Sequence, residues 1–255
     1  MVYQGSKAKL AKDIVPIIQK YIDSYHIDNY LEPFVGGANV IDKIHARHKI
    51  GCDINPYLIA LLNYMKDDPR LLEAPEDCDF EHYKSVRNEY NKRKKGEYYI
   101  YNDWYLGLIG YCASYGGRFF DGGYGRDKTG KRNIYKERLK VIKEQAVQSK
   151  FYETVFKELS YEEITPDNVQ DTVIYCDPPY RNTKTYVGNN SFDYDKFYDW
   201  CRAMSKKNIM IISEYWMPDD FKCIWQKERK ILQKSDRKNG DLAVEKLYIM
   251  SDIIA

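Results

Sequence analysis

Val173-Ile174-Tyr175-Cys176-Asp177-Pro178-Pro179-Tyr180 is the stretch whose character decides how this chain folds. Unbroken β-branched and aromatic residues read as a strand buried on both faces, since a strand with one wet face would alternate apolar and polar residues. The strand ends in an acid. Pro178 and Pro179 then remove two backbone donors and hold the chain in a rigid, extended turn, which leaves the carbonyls beside them open to a ligand. Open α/β sheets bind ligands at the carboxyl ends of their strands. There the Asp177 carboxylate and the Pro178 carbonyl can accept both hydrogens of one exocyclic amine, with Tyr180 stacked on the ring that bears it. A strand-ending turn capped by an aspartate is the plainer alternative.

Outward from this stretch the pattern repeats. Short apolar runs at 30–34, 49–54 and 208–213 read as further strands, the last nearly continuous as Ile209-Met210-Ile211-Ile212. Helical spacing runs through 8–25, 40–48, 56–65 and 194–206. Strands alternating with helices predict an α/β fold: a parallel sheet with helices on both faces.

Two more strand ends carry chemistry. Glu32-Pro33-Phe34-Val35-Gly36-Gly37-Ala38 places a glycine turn after the first strand, and the second ends in Asp53-Ile54-Asn55. A glycine turn lets a ligand approach backbone amides, and a carboxylate after the next strand can hold two ribose hydroxyls, so a nucleoside-containing cofactor fits. A tight strand-to-helix turn with Asp53 as a helix cap fits equally well locally. The pattern Gly-x-Gly-x-x-Gly is missing, which argues against a nicotinamide dinucleotide. Tyr3-Gln4-Gly5-Ser6-Lys7 leads into the first helix and offers Lys7 as a point charge for a carboxylate. Gly125 to Lys131 matches most of a phosphate-binding P-loop, but Arg132 stands where a hydroxyl must hold magnesium and no strand precedes it. Nucleotide hydrolysis is excluded.

The 255 residues, 44% hydrophobic and 31% charged, bury a sizeable core and rule out a disordered chain. No apolar run reaches the roughly 20 residues of a membrane helix, and residues 1–20 lack a signal-peptide core, so a cytoplasmic protein is expected. The six cysteines form no Cys-x-x-Cys pair and read as reduced thiols. His45 and His48 have no third partner at a ligand spacing, so no metal is expected.

Charge is unevenly spread. The net of +2 hides a block, residues 81–150, with 16 Lys and Arg against 8 Asp and Glu, a net of +8 that leaves −6 elsewhere. Ten of the 25 tyrosines lie in the same block, Tyr98 and Tyr99 among them. Helical patterns at 81–95 and 132–149 flank a glycine-rich loop or hairpin at 115–130. Cations interleaved with aromatics suit a phosphate backbone and exposed bases, whereas a solvated basic face over a tyrosine-rich core accounts for the composition alone.

Taken together and in this order, these motifs resemble the Dam-type DNA adenine-N6 methyltransferases, the class in which cofactor motifs come first, target recognition next and Asp-Pro-Pro-Tyr later. The resemblance covers most of the chain. Tyr3 to Lys7, Glu32 to Ala38 and Asp53-Ile54-Asn55 look like the family's cofactor segments, and Asp177 to Tyr180 matches its catalytic motif in full. Arg118 to Arg126 is similar to its DNA-facing hairpin, while Ile212 to Tyr215, Asn239-Gly240 and Glu245-Lys246-Leu247 resemble later segments more loosely. Ala38 and Ser6 replace family glycines, and Asp121 and Gly123 stand where Asn and Pro are frequent, which bears on the target sequence.

The resemblance implies a Rossmann-like methyltransferase sheet, residues 1–65 and 151–255, with a mostly helical target-recognition insertion at 66–150 that carries a hairpin. It implies S-adenosylmethionine as co-substrate, held by Tyr3, Lys7, Phe34, Gly36, Asp53 and Asp177. It also implies double-stranded DNA as partner, read by Arg118, Tyr124 and Arg126, and methyl transfer to a flipped-out adenine by Asp177, Pro178, Pro179 and Tyr180. A cognate restriction enzyme as a further partner and a bacterial or phage source go with the same resemblance. Cytosine-N4 methylation and a non-catalytic DNA-binding protein are the alternatives.

Overall fold

The computed structural model describes residues 1–67, 74–93, 95–96, 100–181, 192–230 and 242–251. α1 (Ala11–Tyr25) carries Ile14, Ile18 and Ile22 at four-residue spacing, one buried stripe in which each side chain contributes roughly 1.5–3 kcal/mol over exposure. It stops at His26, whose left-handed φ of 52° lets its N–H close the last turn. β1 (Asn29–Glu32), β2 (His48–Asp53) and α2 (Pro56–Asp67) follow, the helix opening on a proline whose missing N–H costs nothing there.

α3 (Phe80–Arg93), α4 (Asp103–Cys112) and α5 (Ile134–Ala146) make up most of the basic block. Asn133 caps α5 by accepting from Lys136 N at 3.0 Å. The chain then returns through α6 (Ser149–Tyr152), β3 (Thr154–Glu158), β4 (Thr172–Cys176), α7 (Tyr194–Ser205), β5 (Ile209–Glu214), β6 (Phe221–Lys230) and β7 (Leu242–Met250).

Among the described residues the seven strands form one sheet in the order β3-β2-β1-β4-β5-β7-β6. β3, β2, β1, β4 and β5 run parallel, and β7 joins β5 antiparallel, pairing Ser213 with Leu247, before β6 closes the edge. From β1 the chain proceeds outward to β2 and β3 on one side, then crosses back to β4 on the other. That reversal opens a crevice at the carboxyl ends of β1 and β4, where such sheets place ligands.

Strand side chains alternate between two cores. Val173, Tyr175, Ile211, Leu247 and Ile249 pack with α1, α2 and the α3–α5 segment, while Ile174, Cys176, Met210, Ile212 and Tyr248 pack with α7. Helices thus cover both faces, as expected of an α/β sheet. The basic block shares the first core: Tyr83, Val86, Leu106, Ile109 and Tyr135 lie in one cluster with Ile14 and Leu61. No helix among the described residues is long and apolar enough to cross a membrane.

Two expectations differ from what the chain does. The helix expected over 40–48 is only a short 3-10 turn, Ile41–Lys43, after which Ile44 is extended. Tertiary bonds hold it open: Gln19 of α1 accepts from His45 N and donates to His45 O, both at 2.9 Å. The sheet, expected to be parallel, is mixed. β6 reads as a charged stretch, Lys222 to Lys230, with no apolar run to announce it, because an edge strand is half solvated.

Candidate active site

Asp177 follows the last residue of β4 and remains partly exposed at the crevice. Lys7, 6% exposed, reaches it from the segment before α1, with Nζ 2.6 Å from Asp177 Oδ1. The same ammonium stands 3.5 Å from Glu245 Oε1 and 4.4 Å over the centre of the Tyr180 ring. Burial raises the Asp177 carboxyl above its ordinary range, and Lys7 opposes that rise. Among the described residues no donor meets the Pro178 carbonyl, while Pro179 O accepts from Tyr194 OH at 2.9 Å, a bond that fixes the proline turn to α7. The Tyr180 hydroxyl donates to Glu245 and lies 3.0 Å from Ser213 Oγ.

The glycine turn sits beside this group at the end of β1. Gly36 has φ +47° and its N–H donates to Asp53 Oδ2 at 3.2 Å, while Asp53 Oδ1 accepts from Asn55 N at 3.0 Å. A Cβ on Gly37 would come within 2.6 Å of Asn39 Nδ2 and 3.0 Å of both Met1 O and Tyr3 Cβ, and one on Gly36 would come within 3.1 Å of the Tyr3 ring, so the N-terminal segment can lie on the turn only because both side chains are absent. Gln145 of α5 secures the turn from below, donating to Gly37 O at 3.2 Å, Ala38 O at 3.0 Å and Asp42 Oδ2 at 2.9 Å. Burial pushes the Asp53 carboxyl up to about 6 against the pull of its backbone donors. Phe34 turns to the other face, its ring 5.4 Å from Tyr161 and 6.0 Å from Phe192.

The structure therefore brings Tyr3, Lys7, Gly36, Asp53, Asp177 and Tyr180 to one end of the sheet, with Phe34 beneath its far face. Arg118, Tyr124 and Arg126 stand apart on the 115–130 loop. That hairpin is short: one bridge joins Ser114 and Tyr124, with Tyr115 N and Gly125 N donating to Gly123 O and Ala113 O at 2.7 Å each. The Tyr124 hydroxyl is turned inward to Cys78 O at 2.5 Å, and the exposed Arg126 guanidinium covers the Phe80 ring at 4.6 Å. At Gly117 the loop lies against Val2 and the Tyr3 amide, close to the segment that carries Lys7.

Sequence reasoning gave no role to several groups here. Ile54, 69% exposed, presents an apolar side chain next to Asp53, and Tyr111 OH accepts from Asn55 Nδ2 at 2.9 Å. Glu214 closes β5 with its carboxyl pushed up to about 7 by burial. Glu32, buried and accepting from Tyr30 OH at 2.7 Å, has its carboxyl pushed well above the usual carboxylate range by burial. Both are acids at strand ends and lie within segments that resemble the family's, but neither spacing nor residue type gave them a role. Asn239 and Gly240 lie outside the described residues. Among those residues no three His, Cys, Asp or Glu are grouped to hold a metal ion.

The profile of the D12 class N6 adenine-specific DNA methyltransferases matches residues 3–239. The chain is 30% identical over 226 residues to the type II methyltransferase M.FokI of Planomicrobium okeanokoites, covering 82% of this chain and 32% of that one. It is 28% identical over 204 residues to the DNA adenine methylase of Vibrio cholerae, 73% of this chain and 69% of the other. The type II methyltransferase M.MjaIII of Methanocaldococcus jannaschii is 26% identical over 249 residues, 84% and 83% of the two chains. The chain thus spans about a third of the length of M.FokI. With Asp-Pro-Pro-Tyr at a strand end and the glycine turn and Asp53 beside it, the chain belongs to the family of D12 class N6 adenine-specific DNA methyltransferases.

Proposed function

We propose that the protein transfers a methyl group from S-adenosylmethionine to the N6 amine of an adenine swung out of double-stranded DNA. The observation that carries this is the Asp177 carboxylate at the switch-point crevice, held by Lys7 and adjoining the glycine turn.

The residues present fit the cofactor. Asp53 accepts backbone amides through both oxygens and retains lone pairs for a ribose hydroxyl, and Ile54 offers an apolar face to a purine. Tyr3, Lys7, Gly36 and Asp53 form the holding set, and Phe34, packed against Tyr161 and Phe192 on the opposite face, supports the strand end behind them. S-adenosylmethionine, when bound, supplies an electrophilic methyl group on a sulfonium.

The amine of adenine is a weak nucleophile because its lone pair is delocalised into the ring. Asp177 and the Pro178 carbonyl accept its two hydrogens, favour a pyramidal nitrogen and aim the lone pair out of the ring plane. As the carbon–nitrogen bond forms, the methyl–sulfur bond breaks with its electron pair left on sulfur as a neutral thioether, and one amine proton passes to Asp177, whose raised pKa makes it a better acceptor than an exposed carboxylate. Positioning and acceptors already oriented supply most of the acceleration. Tyr180 stacks on the extruded base, offsetting part of the few kcal/mol that extrusion costs. The basic block grips phosphates, and Arg118, Tyr124 and Arg126 contact the duplex. On this basis residues 66–150 act as the target-recognition segment and the rest as the catalytic domain.

Incubation with duplex DNA and labelled S-adenosylmethionine, followed by digestion to nucleosides, tests the proposal. N6-methyladenine is the expected product. N4-methylcytosine would replace it with the cytosine alternative, and salt-dependent DNA binding without cofactor affinity would leave a binding protein only.

A further inference from the structure

We propose that Glu245 is the positioning residue of this site: through the hydroxyl of Tyr180 it holds the stacking ring in place, and it shares the Lys7 ammonium with Asp177. The inference rests on the methyl transfer proposed above.

Glu245 lies on β7, the strand whose Leu247 and Ile249 fill the core beneath α1. Residues two apart on a strand share a face, so Glu245 points to the same side as Leu247, with Ile211 and Ser213 of β5 and Tyr175 of β4 on the matching side. It is a fully buried carboxylate in a row of apolar residues. Burying an acid there costs several kcal/mol unless charge and hydrogen bonds compensate.

Compensation comes from the catalytic region. Ser213 Oγ donates to Glu245 Oε1 at 2.9 Å, Lys7 Nζ is 3.5 Å away, and the Tyr180 hydroxyl donates to the same oxygen. Tyr180 is thereby held at both ends, by the proline turn at its backbone and by Glu245 at its hydroxyl. A ring fixed before the base arrives is a preorganised stacking face. Lys7 meets two carboxylates instead of one, so its charge is shared between Asp177 and a strand two places across the sheet.

If Glu245 only neutralised Lys7, the Tyr180 hydroxyl would be dispensable. The substitutions Glu245→Gln and Tyr180→Phe separate these roles, since both keep the side-chain volume and Phe keeps the stacking face. Each is expected to lower kcat about 10- to 100-fold, as small misplacements at a reacting centre do, with KM for S-adenosylmethionine within about threefold of the parent. The double variant should be no slower than the slower single variant. Multiplying effects, or Tyr180→Phe with the parent's kcat, would overturn the proposal, and the latter result decides even where Glu245→Gln does not fold.

Ring motion supplies a readout that needs neither cofactor nor DNA. In protein carrying labelled tyrosine, the Tyr180 ring signals, assigned by their loss in Tyr180→Phe, should show restricted flipping that Glu245→Gln speeds at least tenfold. An unchanged rate would overturn the inference. A parent enzyme that methylates no DNA while its Tyr180 ring is restricted would instead remove the function proposed above and leave the tether standing.

Discussion

Asp177 shows how much a single position depends on its surroundings. The residue is legible as a strand-end acid, but its environment is not: burial raises its pKa, the Lys7 ammonium from 170 residues away lowers it, and the two partly cancel. Replacing Asp177 with Ala is expected to lower the methyl-transfer rate at least 1,000-fold, roughly the loss of a proton acceptor and an oriented hydrogen bond together, while equilibrium dialysis shows S-adenosylmethionine still bound. Glu214 gives a second test. Its folded pKa of about 7 exceeds the 4.5 of an ordinary glutamate, so between those values the folded protein holds a proton that the unfolded chain has released. Its contribution to stability is therefore present below about pH 4.5 and lost as pH rises through about 7. Urea unfolding at pH 5 and pH 8 should find Glu214→Gln gaining about 2 kcal/mol on the parent at the higher pH, from ~1.4 kcal/mol per pKa unit.

Helices and strands buried on both sides announce themselves; those bound by their neighbours do not. β4 and β5 are continuous apolar runs because both faces are covered, so their composition alone reveals them. β3 and β6 lie at the sheet edges, where polar residues are tolerated, and the 40–48 segment loses its helix to two bonds from Gln19. The crossing of α4 on α2 was equally hidden. A Cβ on Gly107 would meet Tyr57 O at 2.3 Å and Leu61 Cβ at 3.1 Å, so the two helices approach to where only hydrogen fits. Gly107→Ala favours the helix locally yet forces the pair apart, and a loss of about 1–3 kcal/mol is expected, read as a lower Tm.

Charge is organised over the molecule as a whole. The excess of +8 in residues 81–150 faces a remainder of −6, a separation that orients an approaching polyanion. Arg126 is exposed and rests on Phe80 and Tyr124, which holds its guanidinium outward instead of in an internal ion pair. Arg126→Ala should weaken DNA binding several-fold and reduce the slope of log K against log salt by about 1 for each phosphate the guanidinium neutralises, with cofactor affinity unchanged. An equal slope in parent and variant would remove Arg126 from the interface.

By itself the sequence determined the α/β class, four of the five parallel strands and the three strand-end motifs, because burial on both faces and the conformational limits of glycine and proline are local properties written in residue type. Only the tertiary structure decided which of those ends meet. Lys7, Asp177, Tyr180, Ser213 and Glu245 come from separate stretches of chain, and a side chain two residues from a core leucine becomes part of a polar network only when strand order places β7 beside β5. Such pairings depend on register and crossover between segments far apart in the chain, which no local spacing encodes.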